Sequence, residues 1–178
     1  TLFSFLTRKA FRETEQALEE WESAGVNTSP VRKLLDEGHL KWKRFNHPAA
    51  MVLVAQAEAL GEEHAREHGS VQRIFEHVEE KLQGYEAEGA QVGPARDLLE
   101  QAQSAHDDMD FQKAEGLADQ ALTKGMALES QYQAAAEKVT ELKAKIAEFK
   151  EKGINTDELE RVLAECEAEM GAMMESEV

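Results

Sequence analysis

Two histidines, His64 and His68, stand four residues apart in a stretch rich in helix formers, so a helix places both rings on one face. Imidazoles at that spacing can chelate a divalent cation, with Glu67 nearby. They can equally form a pH-sensitive joint that softens below about pH 6, where buried rings must charge, or serve as packing residues at a helix junction. No third metal ligand stands out around them. Other chemistry-bearing residues are scattered. His106 belongs to no recognisable triad, and Cys166 is the single cysteine, so no intrachain disulfide forms. The acidic run Asp107-Asp108-Met109-Asp110 lacks the alternating ligands, central glycine and distal glutamate of a helix-loop-helix calcium site. It reads as a solvated, capped turn. The sequence holds no glycine-rich phosphate loop and no paired nucleophile and base. An enzyme is therefore not expected, and no cofactor is expected.

The elements that must position these residues are helical. Of 178 residues, 42% are hydrophobic and 31% charged, and prolines are limited to Pro30, Pro48 and Pro94. Such a chain is too apolar for disorder and too charged for a membrane interior, and its abundant Ala, Glu, Leu, Lys and Gln favour an all-α fold. The net charge of -16 repels phosphates and argues against nucleic acid as a partner. The acidity is uneven: residues 1–64 balance at -2, whereas residues 65–128 and 129–178 each balance at -7. Arg32, Lys33, Lys41, Lys43 and Arg44 make the clearest basic cluster, suited to an acidic neighbour or lipid head groups, with a solvated helix face as the default. The apolar opening Thr1-Leu-Phe-Ser-Phe-Leu6, followed by Arg8, Lys9 and Arg12, has two readings: the first turns of a core helix, or the cytoplasmic flank of a membrane-spanning segment preceding Thr1. The single cysteine fits a reducing compartment, and a cytoplasmic location is expected.

An internal periodicity organises the chain. Gly25, Gly89 and Gly153 are 64 residues apart, and the same offset relates Trp21, Tyr85 and Phe149, then Leu18, Leu82 and Ile146, then Leu35, Leu99 and Leu163. This predicts three copies, at 1–64, 65–128 and 129–178, the third incomplete. Each glycine follows an amphipathic run, where a left-handed helix end needs it. Thr28 or Ser29, and Thr156 or Asp157, are positioned to cap the next helix, and Pro30 and Pro94 suit its first turn. Asn46 and Asp110 are the expected caps of the long helices that follow. Those helices carry apolar or small residues in alternating steps of three and four, as in Ala114, Ala118, Ala121, Gly125, Leu128 and Tyr132, which is a heptad seam. A helix from about 48 to 88 would span roughly 60 Å.

A long helix, a tight turn and a short return helix, repeated, resemble the spectrin-like repeat architecture with a shorter unit. The short helix and the Asp108-Met-Asp-Phe-Gln-Lys-Ala114 segment also look like tetratricopeptide-type repeats. The resemblance implies tandem antiparallel three-helix bundles that share long continuous helices in an elongated molecule, and an interaction or spacer role. The run His64-Ala-Arg-Glu67-His68 also resembles the short motif of the inverzincin metalloproteases. Against this, the periodicity aligns His64 and His68 with the seam positions Leu128 and Tyr132, which favours junction packing. His106 aligns with Trp42 and Met170, and Cys166 with Gly38 and Ala102, which favours packing for both.

The expected function is a scaffold or spacer that binds protein. A cytoplasmic signalling segment of a membrane protein, and a metal- or pH-responsive module at His64 and His68, are the alternatives. Copy three lacks its closing helix, so Leu159, Val162, Leu163, Cys166, Met170 and Met173 should be partly uncovered and favour a homodimer. The ending Glu175-Ser-Glu-Val178 has the shape of a peptide that adds a strand to a PDZ-type groove.

Overall fold

The computed structural model describes residues 2–175, with side chains described for residues 2–171. The C-terminal peptide motif ending at Val178, and the side chain of Met173, lie outside this range. Among the described residues the chain is all-helical, with no strands. Its helices are α1 (Leu2–Ser23), α2 (Ser29–Lys43), α3 (His47–Ala87), α4 (Gly93–Asp107), α5 (Phe111–Glu151) and α6 (Asp157–Glu175). Among the described residues, no helix is long and apolar enough to cross a membrane.

The helix ends have local causes. α1, α3 and α5 each stop at a glycine with positive φ: Gly25 at 85°, Gly89 at 101° and Gly153 at 72°. The amide of the residue after each glycine reaches back to an aromatic carbonyl: Val26 to Trp21, Ala90 to Tyr85 and Ile154 to Phe149, each at 2.9 Å. This is the Schellman arrangement, which satisfies the last free carbonyls. α2 and α4 end the same way without glycine, at Phe45 (φ 58°) and Met109 (φ 62°). The starts depart from expectation. Thr28 precedes α2 but makes no side-chain cap bond; its hydroxyl donates instead to Glu22. Asn27 Oδ1 accepts from the Ser29 amide at 3.1 Å and Asn155 Oδ1 from the Asp157 amide at 2.8 Å. The amide side chain reaches two residues on, and this frees the threonine for other contacts. Asn46 does cap α3, accepting from Ala49 N at 3.3 Å.

The chain divides into two compact units, Thr1–Arg73 with Ala105–Gln112, and Ile74–Ser104 with Lys113–Val178. In the first, α2 folds back on α1 and the start of α3 runs alongside. Phe11, Leu18, Val31, Leu35, Ala50, Val54 and Ala57 form one core from these three helices. Each fully buried valine or leucine there contributes roughly 1.5–3 kcal/mol. Thr7 and Thr14 are buried among them, and their hydroxyls donate to the Phe3 and Ala10 carbonyls at 2.8 and 3.0 Å. That bond, four residues back, removes the cost of burying them. Trp21 lies so close over Gly61 that a Cβ at that glycine would sit 2.6 Å from Trp21 Cε3 and nearer still to two other ring carbons.

The second unit repeats several of these contacts 64 residues on. Leu82 and Tyr85 lie over Gly125, as Trp21 does over Gly61. Arg32 bonds Glu22 through Nε at 2.8 Å, and Arg96 bonds Glu86 through Nε at 2.7 Å. At the third equivalent pair the charges are exchanged, with Lys150 bonded to Glu160.

Candidate functional site

The structure brings His64 and His68 together with a residue the spacing does not place beside them. His106 comes from the end of α4, and its ring centroid lies 4.5 Å from that of His68. Phe111, the first residue of α5, packs edge-on to His106 at 5.6 Å and lies 6.2 Å from His64. His106 is 8% exposed, whereas His64 and His68 are half-buried. The left-handed turn at Met109 follows His106 and brings Phe111 against the rings of His106 and His64.

The electrostatics follow from this packing. The pKa of His68 is held below the ordinary histidine value, first by burial and then by repulsion from His106; a bond to the Ala24 backbone and the nearby Asp107 oppose the shift. Asp107 Oδ1 is 3.8 Å from His106 Nδ1 and faces solvent. The Nδ1 of His64 is buried and has no hydrogen-bond partner among the described residues. No group of three His, Cys, Asp or Glu side chains among the described residues is placed to hold a metal ion. The cluster thus sets three imidazole rings together under one aromatic side chain.

A second feature lies within the other unit. A groove of about 780 Å³ runs along α5 from Leu128 to Lys145, bordered by Cys166 and Met170 of α6 and by Pro94. Its floor is apolar, with Tyr132, Val139 and Leu142, and its rim is charged, with Lys138, Glu141 and Glu169. The groove reflects a loss of burial. Val71, Phe75 and Val78 are buried, whereas Ala135, Val139 and Leu142, 64 residues on, are half-buried. Likewise Leu35 and Leu99 are buried, whereas Leu163 is half-buried. Of the residues expected to be uncovered, Leu159, Leu163, Cys166 and Met170 are half-buried and Val162 is 38% exposed.

The paired carboxylates are held in their charged forms. Glu79 and Glu86 lie below the ordinary range mainly because Arg96 bonds both, and Arg96 is correspondingly held above its usual value. Glu22 is lowered by the Thr28 hydroxyl and then by Arg32, and Glu160 chiefly by Lys150. Each of these pairs ties one helix to the next.

Comparison with protein families, with characterised proteins and with solved structures finds no match to this chain.

Proposed function

We propose that this chain is a non-enzymatic helical-repeat scaffold: tandem spectrin-like three-helix bundles that share continuous long helices, set a spacing and bind protein. The observation that carries this reading is the recurrence of whole contacts at one offset. Trp21 and Tyr85, at equivalent positions, each lie against the glycine 40 residues on, and Glu22 with Arg32 and Glu86 with Arg96 form the same ion pair. Convergence on one geometry fits a unit that stacks by nearest-neighbour contacts. Deleting residues 65–128 tests it, because the cut joins two long helices in phase. The shortened chain should retain its fractional helicity by circular dichroism and melt cooperatively, whereas a deletion two residues shorter, which turns the following helix face by about 200°, should not. A disordered 64-residue deletant would refute the repeat reading.

Within this function the α5–α6 groove is the protein-binding face, and a second copy of the chain is the partner it fits. Helix starts of this same sequence, carrying Ala50, Val54 and Ala57, cover the corresponding surface of α2. Sedimentation velocity should show reversible self-association, lost in Leu142→Asp. A strictly monomeric wild-type chain would remove this partner.

The histidine cluster favours a second reading, a pH-responsive joint. The titratable groups known to face it include His64 and His68 on α3 and His106 and Asp107 on α4, and the turn at Ala24 contributes a backbone bond to His68. Protonation of His68 sets a charge in a half-buried place beside His106 and loosens the joint. Hydrogen exchange around residues 105–112 should quicken between neutral and mildly acidic pH, and equal exchange at both would exclude the reading.

A further inference from the structure

Two stretches, residues 1–12 and 38–57, contain none of the chain's 36 acidic residues and carry Arg8, Lys9, Arg12, Lys41, Lys43 and Arg44. They are distant in sequence but meet in the first unit. Phe11 stacks on His39 with ring centroids 4.0 Å apart and lies 6.3 Å from Trp42. From that level α1 leads back toward Leu2 while α2 leads on to its end at Lys43. The start of α1 and the turn between α2 and α3 therefore form one end of the unit. The acids at 107–110 lie beside His64 and His68, about 30 Å along α3 from this end.

This end is also where large apolar side chains face water. Leu2 is 75% exposed, Phe3 53%, Phe5 64% and Leu6 45%. Phe45, at the apex of the turn, is 85% exposed. The first turns of α1 thus depart from the core reading of the opening segment: Thr7 and Phe11 enter the core, and the apolar residues before them do not. The turn itself does not require a phenylalanine. The same left-handed turn at Met109 is flanked by Asp107 and Asp108, where the first has Lys43 and Arg44. At the positions matching Phe3, Phe5 and Leu6 the chain has Glu67, Gly69 and Ser70. Among the described residues, strongly exposed phenylalanines with basic residues near them in sequence are therefore found at this end.

We propose that this end of the first unit docks on an anionic lipid bilayer, with Phe45 and the first turn of α1 entering the interface and the Lys and Arg side chains meeting lipid head groups. This goes beyond the scaffold reading and does not depend on it. Phenylalanine and leucine projecting from a helix start and a turn apex, with basic residues around them, are the chemistry of interfacial anchoring. A protein partner fits less well, because interface cores are depleted in lysine and this end carries Lys9, Lys41 and Lys43. A single-stranded nucleic acid would use the aromatic rings for stacking but has no use for Leu2 and Leu6.

The test is flotation of the full chain with phosphatidylcholine vesicles, with and without phosphatidylserine. Binding should require phosphatidylserine and weaken with salt. Each basic residue near an anionic surface is worth about a fivefold change, so Lys41→Gln/Lys43→Gln/Arg44→Gln should lose roughly 100-fold. Phe45→Asn, which keeps the left-handed turn, should lose roughly tenfold through the missing apolar contact. Met109→Asn at the matching turn should bind as wild type, which separates insertion from a general effect of the substitution. Equal binding to neutral vesicles, an unaltered Phe45→Asn, or capture of a single-stranded oligonucleotide or a second copy by this end without vesicle binding would each overturn the proposal.

Discussion

Gly61 offers a test of the packing that can fail clearly. In a helix interior, alanine is favoured over glycine by about 0.8–1.0 kcal/mol. At Gly69 and Gly84, also in α3, an added Cβ meets nothing within 4 Å, so the propensity gain should appear undiminished. At Gly61 the same methyl would fall within the Trp21 ring, 2.6 Å from Cε3 and closer to Cζ3 and Cη2. Overpacking of that kind costs typically 1–3 kcal/mol, and overlap with several ring atoms places this case toward the upper end. Gly61→Ala should therefore destabilise by about 1–2 kcal/mol net, and Gly69→Ala should stabilise by about 0.5–1 kcal/mol. For a chain of this size the melting temperatures should move in opposite directions, at about 2–4 °C per kcal/mol. Urea unfolding followed by far-ultraviolet circular dichroism gives the two values. Adding Trp21→Ala removes the ring, so Gly61→Ala should turn stabilising in that background, with a coupling of about 2–3 kcal/mol. If Gly61→Ala proves as stable as Gly69→Ala in the wild-type background, Trp21 does not sit over Gly61 and the placement of α1 on α3 is wrong.

Three further outcomes follow from the site and its clamps. Because the folded chain resists protonation of His68, the unfolded chain binds that proton first; stability should fall as pH drops from about 7.5 through the ordinary histidine range near 6.5. His68→Tyr, the residue found at 132, should flatten that slope, while the contributions of Glu79 and Glu86 are lost only at lower pH, below the ordinary carboxylate range. Arg96→Met breaks two carboxylate bonds at a half-exposed site and should cost about 1–2 kcal/mol in thermal unfolding, less at high salt. Arg32→Glu should lower the melting temperature slightly, and the double variant Glu22→Lys/Arg32→Glu should recover it, since Lys150 and Glu160 already use that polarity; a double variant no better than the single would show that the pair contributes nothing.

The helical character and most helix ends were legible in the sequence because their causes are local. Amphipathic runs, a glycine past each long helix and a proline in the first turn act within a few residues of where they stand. Capping was misread at Thr28 because Asn27, one residue earlier, reaches the Ser29 amide and leaves the threonine hydroxyl to Glu22. The third ring of the histidine cluster was not legible as a neighbour of His68. Residue 106 is 38 positions away, and only folding of α4 onto α3 brings the rings together. The basic apolar end was hidden for the same reason. Its two stretches read separately as a core helix start and a solvated cluster, and only the stacking of Phe11 on His39 makes them one surface.

The exchanged polarity of Lys150 and Glu160 bears on how the chain avoids misfolding onto itself. Segments of similar pattern invite mispairing during folding, because a short helix can dock against the wrong long one. An α6 that settled on α3 in place of α4 would set Glu160 against Glu86, and an α4 that settled on α5 would set Arg96 against Lys150. Both wrong pairings bring like charges together, whereas both native pairings are attractive. The charge swap thus labels the α5–α6 hairpin, setting a penalty on exchange of α4 and α6 between the two long helices.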